Sequence, residues 1–244
     1  MSATELMRPL RVIKSEEEIA ALRRGGEITE AAYREVLTKL KHGMTELDVL
    51  TEVEYQLIRH GSLGPAYSSL LEPSGPHHPL LFGQPEKSMN RELHPPVSVQ
   101  FDFGGIFQGY CYDYGRTVAF GEPDKEFRKI YDLVMESQAV GITAIRVGEI
   151  AADVDTAART VIERGGYGEA FRHRLGHSIG LDVHEPPFLT AGDRTIMQEG
   201  MVFTVEPSIN QYDSFSTRVE DLVVVRKEGG VPLTTGFQDL YVID

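Results

Sequence analysis

FDFGGIFQGYCYDYGRT, residues 101–117, is dominated by aromatic residues, with glycines where a chain can turn. That composition reads as strands. A turn at Gln108-Gly109 makes the stretch a hairpin that pairs Phe107 with Tyr110 and Gly104 with Asp113. Asp102, two residues before Gly104, then shares a face with Asp113 as its diagonal neighbour. Diagonal neighbours lie about 7–8 Å apart at the backbone. An unpaired carboxylate is expensive to bury. Two of them in an apolar hairpin therefore face water at a sheet edge or hold a cation between them.

Upstream, an extended lead over Leu10 to Ile13 precedes a helix opened by the capping-box pair Ser15 and Glu18. Gly43 closes it, and Thr45 caps a second helix that stops near Gly61. From Gly64 to Pro96 the chain is rich in Pro, Gly, Ser and His, and reads mostly as loop. Strands follow across residues 97–120, then a third helix from near Pro123 toward Arg146 and a fourth from Glu149 to Arg164. Short apolar runs at about 171–183, 201–210 and 216–226 read as further strands.

The pattern repeats. A shift of 105 positions lays GMTELDVLTEVEYQLIRHG, from Gly43, onto GEIAADVDTAARTVIERGG, from Gly148. Both halves read helix, helix, strands, and would pack as one curved sheet backed by helices, an α+β architecture. The same shift carries Asp102 to Pro207, beside Glu206, so each half brings a carboxylate at a similar point of its strands.

Composition narrows the function. The 24 basic residues against 37 acidic ones give a net charge of −13. That argues against nucleic-acid or anionic-membrane binding as the main role, because both need basic surface. The single cysteine, Cys111, excludes an internal disulfide and suits a reducing compartment. No apolar leader heads MSATELMRPLRVIKSEEE, and nothing later is long enough to span a bilayer. The expectation is a cytoplasmic protein whose residues 1–244 form a single domain.

The later strands bear on the two aspartates. HRLGHSIGLDVHEPP carries His173, His177 and His184; MVFTVEP carries Glu206; STRVEDLVVV carries Glu220. Four buried carboxylates would repel one another strongly, and two divalent cations would neutralise them. Asp, Asp, Glu, Glu and one His form a hard, oxygen-rich set suited to Mn²⁺, Fe²⁺, Co²⁺ or Zn²⁺ and not to a thiolate site. Two such ions about 3.5–4 Å apart would share a water and polarise a carbonyl. Other motifs fit less well: His184-Glu185 lacks the second histidine of H-E-x-x-H, and Gly104, Gly105 and Gly109 do not fit a dinucleotide loop.

These residues carry a resemblance. DFGGIFQGYCYDYGRT, GHSIGLDVHEPP, MVFTVEPS and RVED, with LRVIKSEEEIAALRRGGEI at the start, resemble the pita-bread metallohydrolases, nearest to the proline-specific branch. That family comprises methionine aminopeptidase, prolidase, aminopeptidase P and creatinase. The resemblance implies metal ligands at Asp102, Asp113, His177, Glu206 and Glu220, with Asp113 and Glu220 bridging two divalent ions, Mn²⁺ before Co, Fe or Zn. It implies that Glu206 also handles a proton of the bridging water, and that His184 contacts the substrate carbonyl or the tetrahedral intermediate. His173 matches a substrate-pocket histidine, and Arg218 matches an arginine that supports the ligands. The implied reaction is hydrolysis of small peptides at Xaa-Pro bonds, in a homodimer. The alternative is a creatinase-like hydrolase acting on a non-peptide small molecule. A non-catalytic binding module is disfavoured because all five ligand positions are filled.

The chain departs from the family in places. The N-terminal domain usual in prolidases is expected to be missing. GHS stands for the common GHG, and EPSINQYDSFSTRVE lacks the usual glycines. A further catalytic histidine is expected upstream of Asp102. Ungapped alignment of NRELHPPVSVQFD puts Pro85 or Glu86 at its place, with His77 and His78 as substitutes only if the loop bulges.

Overall fold

The computed structural model describes residues 3–81 and 84–244. The first half runs through helices α1 (Ala3–Val12), α2 (Glu16–Lys39) and α3 (Glu46–Arg59), strand β1 (Leu70–Ser74) and the short helix α4 (Pro85–Ser88). Strands β2 (Val97–Phe103), β3 (Ile106–Phe107), β4 (Tyr110–Cys111) and β5 (Tyr114–Phe120) complete it. The second half has helices α5 (Lys125–Ala144) and α6 (Ala151–Arg164), then strands β6 (Gly176–Ser178), β7 (Glu185–Leu189), β8 (Val202–Val205) and β9 (Ser208–Ile209). It closes with β10 (Thr217–Arg218), β11 (Asp221–Arg226), β12 (Gly229–Pro232) and β13 (Tyr241–Ile243).

Local chemistry sets the helix starts. Both capping boxes form: Ser15 accepts from the Glu18 amide, and Thr45 from the Asp48 amide. Asp124, one residue past Pro123, caps α5 by accepting from the Phe127 amide.

The 105-residue repeat is real in the backbone. Shifted by 105, α3 falls on α6 with the same bounds, and α2 and β2 end and begin where α5 and β8 do. Gly43 and Gly148, at the matched helix entries, have φ of +80° and +90°. Only glycine adopts that region without strain, which explains why the punctuation repeats.

Two larger sheets dominate, beside the two-stranded pairs β3-β4 and β9-β10. One has the order β1-β2-β5-β13, and the other β12-β11-β8-β6-β7. They meet where Glu220 and Gly115 exchange backbone hydrogen bonds, the amide of Glu220 donating to Gly115 over 2.9 Å. The helices pack on the sheets over two cores, the first of which also takes Val202, Leu222 and Val224 from the second sheet. Val36, Val49, Leu57, Val99 and Phe103 belong to the first; Ile130, Val154, Ile162, Phe203 and Val223 belong to the second. Full burial of such side chains contributes about 1.5–3 kcal/mol each. The site residues gather where the two sheets meet.

Three expectations need correction. Most of the supposed extended lead is helix α1, whose Arg11 reaches Asp182 and Glu185, far away in sequence. The region from Gly64 to Pro96 contains β1, which its Pro73 concealed; β1 lies at a sheet edge, where a missing N–H is tolerated. The edge strand β7, with Pro186 and Pro187, was hidden in the same way. The expected strand over 171–183 reduces to β6, because a 3₁₀ turn at Gly168–Ala170 and loops occupy the rest.

Candidate metal centre

The hairpin has the register its turn dictates. Phe107 pairs with Tyr110, and farther along Asp102 pairs with Gly115 and Phe103 with Tyr114. Gly104 is required there: a Cβ on it would lie 1.8 Å from the Tyr112 carbonyl oxygen. Asp102 and Asp113 therefore converge on one face. The Tyr67 hydroxyl contacts both, 2.6 Å from Asp102 Oδ1 and in a shorter contact with Asp113. A hydroxyl has one proton to donate. It satisfies one of the two carboxylates and leaves the other in need of a proton or a cation.

The second sheet supplies the remaining groups. His177 on β6 has its Nδ1 3.0 Å from the Ser178 carbonyl, to which it donates. Its Nε2 is turned to the acids, 3.5 Å from Asp113 Oδ2 and 3.4 Å from Glu206 Oε1. Fixing the tautomer through a carbonyl is what prepares an imidazole as a ligand. Burial opposes its charged form, but Asp113 and Glu206 outweigh that and its pKa is raised.

Glu206 follows β8 and accepts from Thr204 Oγ1 over 3.1 Å. Burial pushes its carboxyl up to about 7 against the pull of Arg218 and His177. Glu220 is 1 % exposed, and neither of its carboxylate oxygens has a hydrogen-bond partner among the described residues. Burial, then Asp113 and Glu206, raise its pKa. Behind it the buried Arg116 donates to the Glu220 carbonyl over 2.7 Å and to Asp221 Oδ1 over 2.7 Å, which fixes the start of β11.

Ligand atoms of Asp113, His177 and Glu220 lie within 4.8 Å of one another. Asp102 joins through Tyr67 and Glu206 through His177. Arg218 on β10 pairs with Asp102, so one buried guanidinium faces four acids. Burial raises the Asp102 pKa, with Arg218 opposing. The orphaned Glu220 oxygens, the aimed Nε2 and the uncompensated acids fit a divalent-cation centre.

The site opens into a cavity of about 630 Å³ lined by these acids with Tyr67, Leu70, His173, Arg174, His184 and Phe188. His184 stands edge-on to His177, ring centres 4.3 Å apart, and burial followed by the His177 charge lowers its pKa. His173 donates from Nδ1 to the Arg174 carbonyl over 2.7 Å and accepts at Nε2 from Ser208 Oγ over 2.6 Å. Burial and Arg218 push it down to about 3, so it is neutral.

The fold of these two halves is shared with known proteins. A sequence profile of metallopeptidase family M24 matches residues 20–227. The chain belongs to that family. It is 36 % identical over 239 residues to the Xaa-Pro dipeptidase of Lactobacillus delbrueckii subsp. lactis, covering 96 % of this chain and 63 % of that one. Among solved structures, the X-Pro aminopeptidase of Thermotoga maritima superposes with a TM-score of 0.90 at 31 % identity, over 98 % of this chain and 67 % of that one. The prolidase of Pyrococcus horikoshii gives 0.91 at 32 %, over 98 % and 67 %. The α+β pita-bread architecture is therefore that of the family, and the chain spans about two thirds of the relatives' length.

This M24 chain brings all eight sequence-derived residues, Asp102, Asp113, His173, His177, His184, Glu206, Arg218 and Glu220, to one cavity. The upstream histidine does not join them. His78 sits in a turn closed on Gly75, its Nε2 3.5 Å from Glu46 Oε1, and His77 is exposed. Glu86, on α4, is exposed as well. Sequence reasoning passed over Tyr67 and Arg174. Tyr67 lies in a loop without periodicity, although Arg174 sits between two histidines already singled out. No helix among the described residues is long and apolar enough to cross a membrane.

Proposed function

We propose that this chain is a dinuclear metallopeptidase that hydrolyses small peptides at Xaa-Pro bonds. The observation that carries the reading is the buried four-carboxylate centre, in which the Glu220 carboxylate has no hydrogen-bond partner among the described residues. Asp102, Asp113, His177, Glu206 and Glu220 would hold two divalent ions. A hard donor set favours Mn²⁺, with Co, Fe or Zn as alternatives. Bound there, the ions would supply Lewis-acid polarisation and an acidified water.

The remaining steps belong to this chain's side chains. Glu206, held by Thr204 Oγ1 on the cavity wall, is placed to take a proton from an attacking water. His184, on the cavity wall beside His177, is placed to donate to a substrate carbonyl. His173, kept neutral, presents an uncharged imidazole to the bound peptide. Arg218 fixes Asp102 without filling the cavity. Leu70 and Phe188 give an apolar wall for a pyrrolidine ring. The names of the relatives, Xaa-Pro dipeptidase and prolidase, support this substrate class. Residues 1–244 as one catalytic domain, acting in a cytoplasmic homodimer, complete the proposal.

One observation favours the creatinase-like alternative: neither His77 nor His78 lines the cavity. A panel of Xaa-Pro dipeptides and Xaa-Pro-Zaa tripeptides with added Mn²⁺ separates the two. Wild type is expected to bind about two ions per chain and to turn over members of the panel. Asp113→Asn is expected to lose metal loading and hydrolysis together. A fully loaded wild type that cleaves no member refutes the peptidase reading.

A further inference from the structure

The His184 imidazole makes no hydrogen bond among the described residues, and its ring contact is with His177. It lines two cavities, that of the metal centre and a second of about 370 Å³ beside α1. Met7, Val12, Asp182 and Pro186 line the second space as well. With open space on two sides, packing alone leaves the ring free to change rotamer. Its place therefore depends on the backbone of residues 179–184, the loop that joins β6 to β7.

One buried side chain grips both ends of that loop. Lys14, in the link between α1 and α2, is 4 % exposed, and a lysine is almost never so buried unless paired. Its Nζ donates to Ser178 Oγ over 3.2 Å and lies 3.6 Å from Glu185 Oε2. Ser178 and Glu185 are cross-strand partners at the base of the loop. Glu185 directly follows His184, and it accepts from the Asp182 amide over 3.0 Å and from Arg11. The pair also packs on the loop backbone: a Cβ on Gly180 would lie 3.1 Å from Glu185 Oε1 and 3.3 Å from Lys14 Cε. Lys14 is itself anchored, its amide donating to the Gly200 carbonyl over 2.9 Å. A further tie comes from the metal-centre hairpin, where the Cys111 amide donates to the Gly180 carbonyl over 2.8 Å.

We propose that Lys14 is a positioning residue: by clamping Ser178 and Glu185 it holds His184 where a substrate carbonyl meets the metal centre. The inference rests on the Xaa-Pro reading above, in which His184 donates to that carbonyl. Lys14 touches no substrate and acts through the loop. Burial strengthens the clamp, because a pair removed from water is weakly screened. Without Lys14 the Glu185 carboxylate keeps Arg11 and the Asp182 amide, so no buried acid is orphaned. What is lost is the link between Glu185 and Ser178, and with it the closed base of the loop.

The test is a double-mutant cycle on Mn²⁺-loaded protein, with the Xaa-Pro peptide that wild type turns over fastest. Lys14→Met should keep the wild-type metal content and KM and lose about 10- to 100-fold in kcat, the scale of a misplacement of about 1 Å. If Lys14 acts through His184, adding Lys14→Met to His184→Ala should cost nothing further. Losses that multiply in the double variant, or a fall in metal content, would overturn the proposal. Should Lys14→Met not fold, Glu185→Gln and Ser178→Ala, which each weaken one arm of the clamp, run through the same cycle. If fully loaded wild type cleaves no peptide, the Xaa-Pro reading fails, and NMR of the Zn²⁺-loaded protein still decides Lys14. The His184 ring signals, assigned by their loss in His184→Ala, should move in Lys14→Met while those of His173 stay. His184 signals that stay, or that move together with those of His173, remove the clamp.

Discussion

Glu220→Gln should have opposite effects on stability without and with metal. In the metal-free protein Glu220 is buried, both its oxygens lack partners, and Asp113 and Glu206 repel it. A buried unsatisfied polar group costs about 1–3 kcal/mol, and more if charged. Uptake of a proton limits the charged part, so about 2 kcal/mol is the expected relief when an amide replaces the acid. The amide also brings donors for the neighbouring carboxylates. For a chain of this size each kcal/mol shifts Tm by about 2–4 °C. In EDTA, Glu220→Gln should therefore melt about 4–8 °C above wild type. With Mn²⁺ at a hundred times Kd, wild type should gain about 2.7 kcal/mol by linkage, and the variant should gain little. Differential scanning calorimetry in both conditions reads the crossing. A variant that melts at or below wild type in EDTA would refute the idea that Glu220 is a strained acid awaiting a cation.

Two further outcomes follow from the same geometry. Glu206 has a folded pKa of about 7, above its unfolded value, so its contribution favours the fold below pH about 4.5 and is lost as pH rises through 7. Metal-free wild type should lose on the order of 3 kcal/mol from this group across that window, and the slope should flatten in Glu206→Gln; chemical denaturation at stepped pH measures it. Gly104→Ala places a methyl 1.8 Å from the Tyr112 carbonyl; the expected loss exceeds about 4 kcal/mol, read as insolubility or a collapsed denaturation midpoint.

The hairpin was legible because a two-residue turn sets its register, and register decides that Asp102 and Asp113 share a face. That the acids and imidazoles would gather was legible for a related reason: such groups in apolar strands are too costly to bury apart. Edge strands β1 and β7 were not, because Pro73, Pro186 and Pro187 mask a strand pattern that only sheet position permits. Tyr67 was not, because its role comes from a loop laid across β2 and carries no local signal.

The 105-residue repeat places unlike side chains at equivalent backbone points. Asp113 corresponds to Arg218, and Asp102 to Pro207. The first half brings Asp102 and Asp113; the second brings His177, Glu206 and Glu220. Each half on its own supplies only part of that set, so an ion held by residues of both would act as a removable cross-link between the halves. Metal content would then govern how far the halves breathe apart, and the seam at Gly115 and Glu220 is where amide exchange should slow first on loading.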